Sequence, residues 1–250
     1  MTDYAIRELM AVLLSRELRD GEVVVAGGVR SAVPMAAVFL AQNLRCSDIQ
    51  LVMGMGVVNP RPDRIWSSAG DYQYAVGSEG FVSMDEIFEL SEIGRFDVAF
   101  YGGLQIDRFG NANLTWVDSG SRRIRGPGVA NATLAVTVGR TILYSEHHVP
   151  RVFVPRVSFN TIPGHMDGGR PDGTGAGPAA CITPLGVLEF PAPGRAMAVR
   201  SVHPGVGRQA LEEATGFELG WPADVPDTEP PTAEELRTLR KIDPDGLLRG

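Results

Sequence analysis

The sequence predicts an α/β fold in which a parallel-rich sheet is wrapped by helices and the second half is richer in strands. In the first hundred residues, short apolar runs ending at glycines alternate with helical periodicity, which is typical of βαβ units. From residue 134 onward, short β-rich runs are broken by glycine and proline. The 250 residues suit one large domain or two merged lobes, and we predict a single domain over residues 1–250.

The first half carries alternating helix and strand signals. Asp3 and Ser31 are good N-caps ahead of apolar residues at helical spacing, and Ser83-Met84-Asp85-Glu86 is a capping box. The strand signals are apolar runs, and the first of them ends at Gly27-Gly28. In chain order, these signals predict a helix over 3–19, a strand over 22–26, a helix over 31–43, a strand over 49–53, a helix over 83–94 and a strand over 97–101.

The second half is predicted to be mostly strand, with helices near its end. A segment with six glycines, residues 163–178, is predicted to be a loop. A second capping box, Thr232-Ala233-Glu234-Glu235, opens the last helix after a proline-rich connector. The predicted strands are 134–138, 151–157, 180–182, 186–190 and 196–199, and the predicted helices are 209–215 and 232–241.

Composition and charge exclude several classes of protein. With 44% hydrophobic and 21% charged residues, the chain reads as a soluble globular protein, and a net charge of −7 argues against a nucleic-acid partner. Cys46 and Cys181 are far apart and form no CxxC motif, which predicts a reduced cytoplasm without a disulfide or a zinc site. The apolar N-terminal stretch is interrupted by charges, and no run approaches the ~20 apolar residues that span a bilayer. Membrane association and secretion are therefore disfavoured.

Local motifs leave the chemistry open. Gly27-Gly28 follows a strand and precedes a helix, but the dinucleotide and P-loop fingerprints are absent, so a close-packed turn is favoured over nucleotide binding. The four histidines lack metal-ligand spacing, which favours solvated or hydrogen-bonded side chains and predicts no metal site. Glu79, in a glycine setting, suits catalysis or a surface turn equally well.

Two further features can be interpreted either as parts of a binding site or as ordinary structural features. Gly126-Pro127-Gly128 could expose N–H groups to an anion or a carbonyl oxygen, or could simply form a turn. The basic run over residues 122–125 could supply a guanidinium for a carboxylate, or could be an exposed charged segment.

Seven stretches, taken together, resemble the β subunit of class I coenzyme A transferases in their order and spacing. They lie between residues 51 and 246, and the resemblance extends over residues 5–246. The stretches are LVMGMG at 51–56, YGGLQIDRFGNANLT at 101–115, RIRGPGVAN at 123–131, HHVPRVFVPRVSFNT at 147–161, CITPLGVLEF at 181–190, HPGVGRQALEEATGFEL at 203–219 and TAEELRTLRKIDPDG at 232–246. The resemblance implies the fold of that family.

The resemblance also identifies a missing residue. In this family a glutamate after the second strand attacks the thioester to form a covalent intermediate. The stretch LVMGMG aligns with the family motif that contains this glutamate. In that alignment Gly56 is retained and Gly54 occupies the position of the glutamate. Glycine has no side chain that can form an acyl anhydride. The resemblance therefore implies that no residue of this chain is a certain catalytic residue.

The whole pattern, with its glutamate missing, resembles the subfamily that opens the last carbocyclic ring in bacterial cholesterol and steroid catabolism. The resemblance implies a B subunit of a two-subunit hydrolase acting on a steroid-derived cyclic β-keto acyl-CoA, with the glutamate supplied by the A subunit. It also implies a heterodimer doubled to an α2β2 heterotetramer, and no cofactor other than coenzyme A as part of the substrate.

The implied site residues fall into two groups. Backbone N–H groups at glycine turns could stabilise the negative charge that C–C cleavage places on the thioester oxygen, and an arginine could bind a substrate carboxylate. The substrate-binding candidates are Gly54, Met55, Gly56, Asn59, Arg123 and Arg125, and the candidates for the oxyanion or coenzyme A are Gly126, Gly128 and Asn131.

Two alternative functions stay open. The chain could be a true coenzyme A transferase subunit, for example of the 3-oxoacid or glutaconate type, which uses another acid such as Glu79. It could also be a non-catalytic subunit that only completes the fold of its partner. Trapping of an acylated glutamate would favour the first, and indifference to changes at Gly54 or Arg125 would favour the second.

Overall fold

The computed structural model describes residues 3–28, 31–128, 130–165, 170, 173–192 and 194–250. These residues form two compact units. One unit comprises Met1–Phe100 with Pro230–Gly250, and the other comprises Tyr101–Glu229. In the described part of the chain, no helix is long and apolar enough to cross a bilayer.

Six α-helices and thirteen strands are assigned within the described residues. The helices are α1 (Ile6–Arg16), α2 (Ala32–Leu44), α3 (Met84–Glu92), α4 (Ala130–Thr137), α5 (Arg208–Ala214) and α6 (Ala233–Ile242). The strands are β1 (Val23–Ala26), β2 (Gln50–Met53), β3 (Val57–Val58), β4 (Gly80–Phe81), β5 (Val98–Tyr101), β6 (Gln105–Ile106), β7 (Ala112–Asn113), β8 (Trp116–Ser119), β9 (Arg122–Arg125), β10 (Arg140–Tyr144), β11 (Pro178–Ile182), β12 (Gly186–Glu189) and β13 (Ala198–Val202). A short 3-10 helix covers Tyr72–Ala75.

In the first unit the strand order is β5-β1-β2-β3-β4. The strands β5, β1 and β2 run parallel, whereas β3 and β4 are added antiparallel at one edge. In β1 and β2, Val24 pairs with Leu51 and Ala26 with Met53, and all four side chains are buried. Because β1 and β2 are parallel neighbours, their carboxyl ends meet at one edge of the sheet, which is where α/β proteins place ligands.

The helices α1, α2, α3 and α6 complete the first unit, and an ion pair joins α1 to α6. The α2 helix is buried along Ala32–Ala41 because its side chains are almost all apolar, and it packs against α1 and α6. Glu8 of α1 is buried and accepts hydrogen bonds from Arg240 of α6, with the closest pair of atoms 2.9 Å apart. Burial alone would raise the pKa of Glu8, but the hydrogen bonds from Arg240 and from the Ala5 N–H hold it below its usual value.

The second unit contains a four-stranded ladder and two small hairpins. The strands β10 and β11 are parallel, and β11, β12 and β13 are antiparallel in that order. The hairpins are β6 with β7 and β8 with β9. Buried Leu143, Cys181 and Leu188 lie side by side across β10, β11 and β12, which gives this unit its own apolar core.

Most of the predicted elements are confirmed. The structure contains all the helices predicted in the first half and the three parallel strands that alternate with them, so the α/β prediction is confirmed. The capping box at Ser83 is present, with the Ser83 hydroxyl accepting from the Glu86 N–H. The first helix begins later than predicted, with Ala5 rather than Asp3 as its N-cap, because the Glu8 carboxylate accepts the Ala5 N–H.

Two of the predicted strands are wrong. Residues 134–138 belong largely to α4, because Leu134, Ala135 and Val138 are buried together on one helical face, whereas a strand would bury alternate residues. Residues 151–157 form turns with one isolated bridge at Phe153, since the prolines around them interrupt a ladder. Part of the predicted loop over 163–178 lies outside the described residues. The single-domain prediction for residues 1–250 stays a prediction.

Candidate functional site

A tight turn follows β2 at the carboxyl end of the parallel strands. The Gly56 N–H donates to the Met53 carbonyl oxygen at 2.8 Å, and the Gly54 N–H donates to the Ala26 carbonyl oxygen of β1 at 2.9 Å. Of the three N–H groups of residues 54–56, that of Met55 has no acceptor among the described residues, and the Met55 side chain is 67% exposed. The turn therefore presents Met55 outward while both glycine N–H groups are used inside the chain.

Glycine at position 54 leaves space on this turn. A Cβ atom there would meet nothing within 4 Å. Gly27 is in a conformation that favours glycine, with φ of +145°, and a Cβ atom on it would lie only 2.9 Å from the Gly54 nitrogen. Gly27 thus lets the ends of β1 and β2 approach closely, which agrees with the close-packed turn that the sequence favoured over nucleotide binding.

Gly56 is required by the backbone beside it. Its φ is +90°, and a Cβ atom would overlap the Val82 carbonyl oxygen. The Val82 N–H in turn donates to the Gly56 carbonyl oxygen at 2.8 Å, directly before α3. Retention of a glycine here therefore has a structural cause that is independent of any substrate.

The side chain of Asn59 hydrogen-bonds to the start of β2 and to Glu79. Asn59 has a positive φ of 44°, its Oδ1 accepts the Leu51 N–H at 2.8 Å, and its Nδ2 donates to Gln50 Oε1 and to Glu79 Oε2. Glu79 also pairs with Arg61 at 2.6 Å. The hydrogen bonds from Asn59 and then Arg61 hold the pKa of Glu79 below its usual value. Both carboxylate oxygens of Glu79 are therefore engaged, which favours its interpretation as part of a surface turn.

A cavity of about 400 Å³ lies beside Asn59 and Glu79. Asn59, Gln50, Arg61 and Glu79 contribute to its lining, and Gly54 and Met55 do not. Gln50 is the first residue of β2, so this cavity is at the amino end of the strand, roughly 13 Å of extended chain from Gly54. Asn59 therefore lies apart from the turn with which the sequence grouped it.

The two candidate arginines lie on a hairpin of the second unit. In β9, Arg125 is exposed and pairs in register with Trp116 of β8. Arg123 donates to Asp118 at 2.9 Å, and its guanidinium stacks over the Trp116 ring at 4.1 Å from the centroid. No ion pair to Arg125 is found within the described ranges, whereas the guanidinium of Arg123 is engaged by Asp118 and Trp116.

The residues after this hairpin form a turn. The Gly126 N–H donates to the Thr115 carbonyl oxygen at 2.9 Å, and the Gly128 N–H donates to the Leu114 carbonyl oxygen at 3.0 Å. The Asn131 N–H donates to the Gly128 carbonyl oxygen. Neither glycine N–H is free for an oxyanion in this conformation, so the turn interpretation of this segment is the one that the geometry favours.

Three of the histidines are buried and hydrogen-bonded. The His148 nitrogens lie 2.9 Å from the hydroxyls of Thr183 and Thr215, and burial lowers the pKa of His148 to about 4. His165 lies 2.8 Å from the Pro178 carbonyl oxygen, and His203 lies 2.9 Å from that of Thr183. Within the described ranges, no group of three or more His, Cys, Asp or Glu residues could hold a metal ion.

The predicted site residues therefore fall into separate clusters. Gly54, Met55 and Gly56 are together on one turn, and Asn59 lies beyond it in the same unit. Arg123, Arg125, Gly126, Gly128 and Asn131 belong to the other unit. Sequence reasoning favoured a close-packed turn at Gly27 but did not identify its contact with Gly54, and it missed the role of Val82 beside Gly56. The available signal was the Gly-Gly pair directly after the first strand.

The family model of coenzyme A transferase matches residues 7–214 of this chain. Because the match extends over most of the chain, the protein belongs to the coenzyme A transferase family. This finding confirms the resemblance that the seven sequence stretches indicated.

Curated relatives include components of both transferases and a hydrolase. The chain is 33% identical to the B subunit of 3-oxoadipate CoA-transferase of Pseudomonas knackmussii over 97% of this chain and 95% of that protein. It is 31% identical to the cholesterol ring-cleaving hydrolase IpdB subunit of Rhodococcus jostii, over 68% of each chain. The hydrolase match is therefore partial, whereas the transferase match extends over nearly the whole chain.

Solved structures show the same fold. The decarboxylase AibA/AibB matches with a TM-score of 0.85 and 28% identity over 98% of both chains. Glutaconate coenzyme A-transferase from Acidaminococcus fermentans matches with a TM-score of 0.86, and IpdAB of Rhodococcus jostii with 0.81, both at 24% identity. These two matches cover 98% or more of this chain and of the chain compared. The fold class predicted from the sequence is thus confirmed.

Proposed function

We propose that this chain is the B subunit of a two-subunit enzyme that breaks a C–C bond beside a coenzyme A thioester. The specific reaction proposed is hydrolytic opening of the last ring of a steroid-derived cyclic β-keto acyl-CoA. The partner is an A subunit that supplies the catalytic glutamate, in a heterodimer that doubles to a heterotetramer. The similarity to the IpdB subunit and to the two-component AibA/AibB decarboxylase supports this pairing.

The observation that carries the proposal is the turn after β2. It has glycine where the family resemblance places a glutamate nucleophile, and a Cβ atom there would meet nothing within 4 Å. Glu79, the alternative acid, has both oxygens hydrogen-bonded at the other end of β2. A covalent glutamyl intermediate formed by this chain is therefore disfavoured, and the free space suits a bulky cyclic acyl group.

The proposed step needs little from this chain except binding and charge stabilisation. A water molecule, deprotonated by the partner carboxylate, adds to the ring ketone, and the bond from that carbon to the carbon beside the thioester then breaks. The electron pair moves onto the thioester as an enolate, and the returned proton leaves an open-chain thioester with a new carboxylate. The Met55 N–H, which has no acceptor among the described residues, is the donor of this turn that remains for the enolate oxygen.

A second candidate is coenzyme A transfer. It is favoured by the match to the B subunit of 3-oxoadipate CoA-transferase, which extends over 97% of this chain. Because transfer by the family route needs a nucleophilic carboxylate, it requires an acid other than the residue at position 54. Because Asn59 and Arg61 already engage the two carboxylate oxygens of Glu79, Glu79 is disfavoured as the nucleophile.

One experiment separates these functions by the mass of the product. The co-expressed A–B complex is incubated with a monocyclic β-keto acyl-CoA and with acetate or succinate as acceptor, and the thioesters are analysed by mass spectrometry. Ring opening adds the mass of one water, decarboxylation removes that of carbon dioxide, and transfer moves coenzyme A to the acceptor. The proposal expects the first product, and exclusive formation of the acceptor thioester would overturn it.

A further inference from the structure

The cavity beside Asn59 and Glu79 is separate from the turn after β2. Its volume of about 400 Å³ is within the range of small-molecule sites in proteins, roughly 300–1,000 Å³. It lies at the amino end of β2, whereas Gly54 follows the carboxyl end of that strand. Its described lining residues all belong to the first unit, and none of them is part of the turn over residues 54–56. A ligand in this cavity therefore does not occupy the space proposed for the acyl ring.

The two walls of the cavity are fixed by contacts within the chain. One wall is formed by the last turns of α2 and the segment that leads into β2, which are joined where Gln42 Nε2 donates to the Ile49 carbonyl oxygen at 3.0 Å. The other wall includes residues 59–64. This wall is held to the end of α6, because the Ile65 N–H donates to the Ile242 carbonyl oxygen at 2.8 Å. The cavity thus has its shape without a ligand, so binding requires little ordering of the chain.

The first wall offers hydrogen-bond acceptors. The side-chain nitrogens of Gln42 and Asn43 donate to the carbonyl oxygens of Ile49 and Phe39. Within the described residues, the side-chain oxygens of Gln42 and Asn43 accept no hydrogen bond. An amide oxygen can accept two such bonds. A ligand that contacts this wall is therefore expected to carry an N–H or O–H donor.

The second wall offers a guanidinium. Arg61 binds Glu79 through one nitrogen, Nη2, at 2.6 Å. In the part of the chain that the structure describes, Arg61 Nε and Nη1 have no acceptor. A guanidinium with free N–H groups is suited to a carboxylate, which it can bind through two parallel hydrogen bonds. The lining also includes the apolar side chains of Phe39, Ile49 and Pro62, which can contact the body of a ligand.

We propose that this cavity is a second binding site of the chain, for a small organic acid that has an N–H or O–H donor at the end away from its carboxylate. The carboxylate binds to Arg61, and the donor binds to the amide oxygens of Gln42 and Asn43. The inference does not rest on the proposed ring-opening reaction, because the cavity shares no residue with the Gly54 turn.

The test uses 4-aminobenzoate as the probe and the co-expressed A–B complex as the protein. The amino group and the carboxylate of this probe lie at opposite ends of a rigid ring. Benzoate lacks the donor and aniline lacks the carboxylate, so these two compounds are matched controls. In a titration followed by saturation-transfer NMR, we expect 4-aminobenzoate to bind with a dissociation constant on the order of 1 mM. Both controls are expected to bind at least about 10-fold more weakly.

Substitutions assign the binding to this cavity. The Arg61 side chain is 72% exposed, so Arg61→Gln should fold normally and weaken binding at least about 10-fold. The matched control is Arg95→Gln, at an exposed arginine of the same unit that does not line the cavity, and it should leave binding unchanged. As a second variant, Asn43→Phe fills the cavity from an exposed position of α2 and should abolish binding. Melting temperatures equal to that of the unmodified complex verify that the variants are folded.

Three outcomes would overturn the inference. They are the absence of saturable 4-aminobenzoate binding to the unmodified complex, equally tight binding of benzoate or aniline, and unchanged binding of 4-aminobenzoate in either Arg61→Gln or Asn43→Phe. Because the measurement needs no turnover, its result is independent of whether the complex opens a ring, and failure of one proposal does not imply failure of the other.

Discussion

The Gly54 N–H donates to the Ala26 carbonyl oxygen at 2.9 Å, which fastens the turn after β2 to the end of β1. Since β1 and β2 are parallel and buried, the turn is joined to the buried part of the sheet. Changes of side chain at position 54 should therefore alter the site without moving the backbone that carries it.

Gly54→Glu restores the acid of the family motif but should not restore its chemistry. The fold accepts the change because a Cβ atom there meets nothing within 4 Å. The carboxylate occupies the space proposed for the acyl ring, so ring opening should fall by on the order of 100-fold or more, without efficient transfer. Steady-state rates of the A–B complex measure this effect.

Gly54→Ala is the matched control and should retain most of the activity with an unchanged melting temperature. Near wild-type ring opening by the glutamate variant would mean that position 54 does not face the substrate.

Gly56→Ala should damage the fold rather than the chemistry. Its φ of +90° is unfavourable for alanine and costs about 1–3 kcal/mol, and the added methyl group also overlaps the Val82 carbonyl oxygen. The complex should therefore unfold at lower temperature or urea concentration, whereas the alanine variant at position 54 should not. Equal stability of the two variants would contradict the backbone explanation for Gly56.

Arg125→Ala tests the proposed contact with a substrate carboxylate. If the guanidinium binds that group in a site closed by the partner, kcat/KM should fall by roughly 30-fold to several thousand-fold. Lysine should restore activity only in part, because it lacks the planar fork of arginine.

The control is Arg123→Ala on the same strand, where Asp118 and Trp116 already engage the guanidinium. A smaller loss is expected there. A substrate analogue without the carboxylate should be insensitive to Arg125→Ala, and an equal effect on both substrates would assign the arginine to coenzyme A or to the turn at Gly126.

The stability of the second unit should depend on pH through His148. Burial lowers the pKa of His148 from about 6.5 to about 4, so between these values the unfolded chain binds a proton that the folded chain excludes. The contribution of neutral His148 to the free energy of unfolding is complete above pH 6.5 and is lost as the pH falls towards 4. In total it is on the order of 3 kcal/mol. Urea unfolding of the complex at pH 7 and pH 5 measures the slope.

His148→Gln should reduce this slope, because an amide can bridge Thr183 and Thr215 without taking up a proton. An unchanged slope in the glutamine variant would assign the pH dependence to His165 or His203, whose pKa values burial also lowers.

The sequence was sufficient where local signals and burial agreed. The strands ending at Ala26 and Met53 and the capping boxes at Ser83 and Thr232 were located because apolar runs and caps are local features. The segment 134–138 was assigned wrongly because its β-branched residues resemble a strand, while its burial on one helical face depends on tertiary packing.

The sequence indicated that the nucleophilic side chain is missing from the candidate site. It did not indicate the hydrogen bonds that hold the residues of the site. The motif around Gly54 indicated that the nucleophile was absent. The engagement of the Gly126 and Gly128 N–H groups by Thr115 and Leu114, and of Asn59 by Leu51 and Glu79, depends on segments that only the fold brings together.

The central claim is that this chain contributes no nucleophilic carboxylate, and covalent trapping tests it most directly. The A–B complex is incubated with its acyl-CoA and then with borohydride, which reduces a glutamyl thioester, and both chains are digested and analysed by mass spectrometry. Glutaconate coenzyme A-transferase treated in the same way serves as the positive control. We predict that no glutamate of this chain, including Glu79, is modified while the control is. A reduced glutamate in this chain, at Glu79 or elsewhere, would contradict the account and establish a transferase.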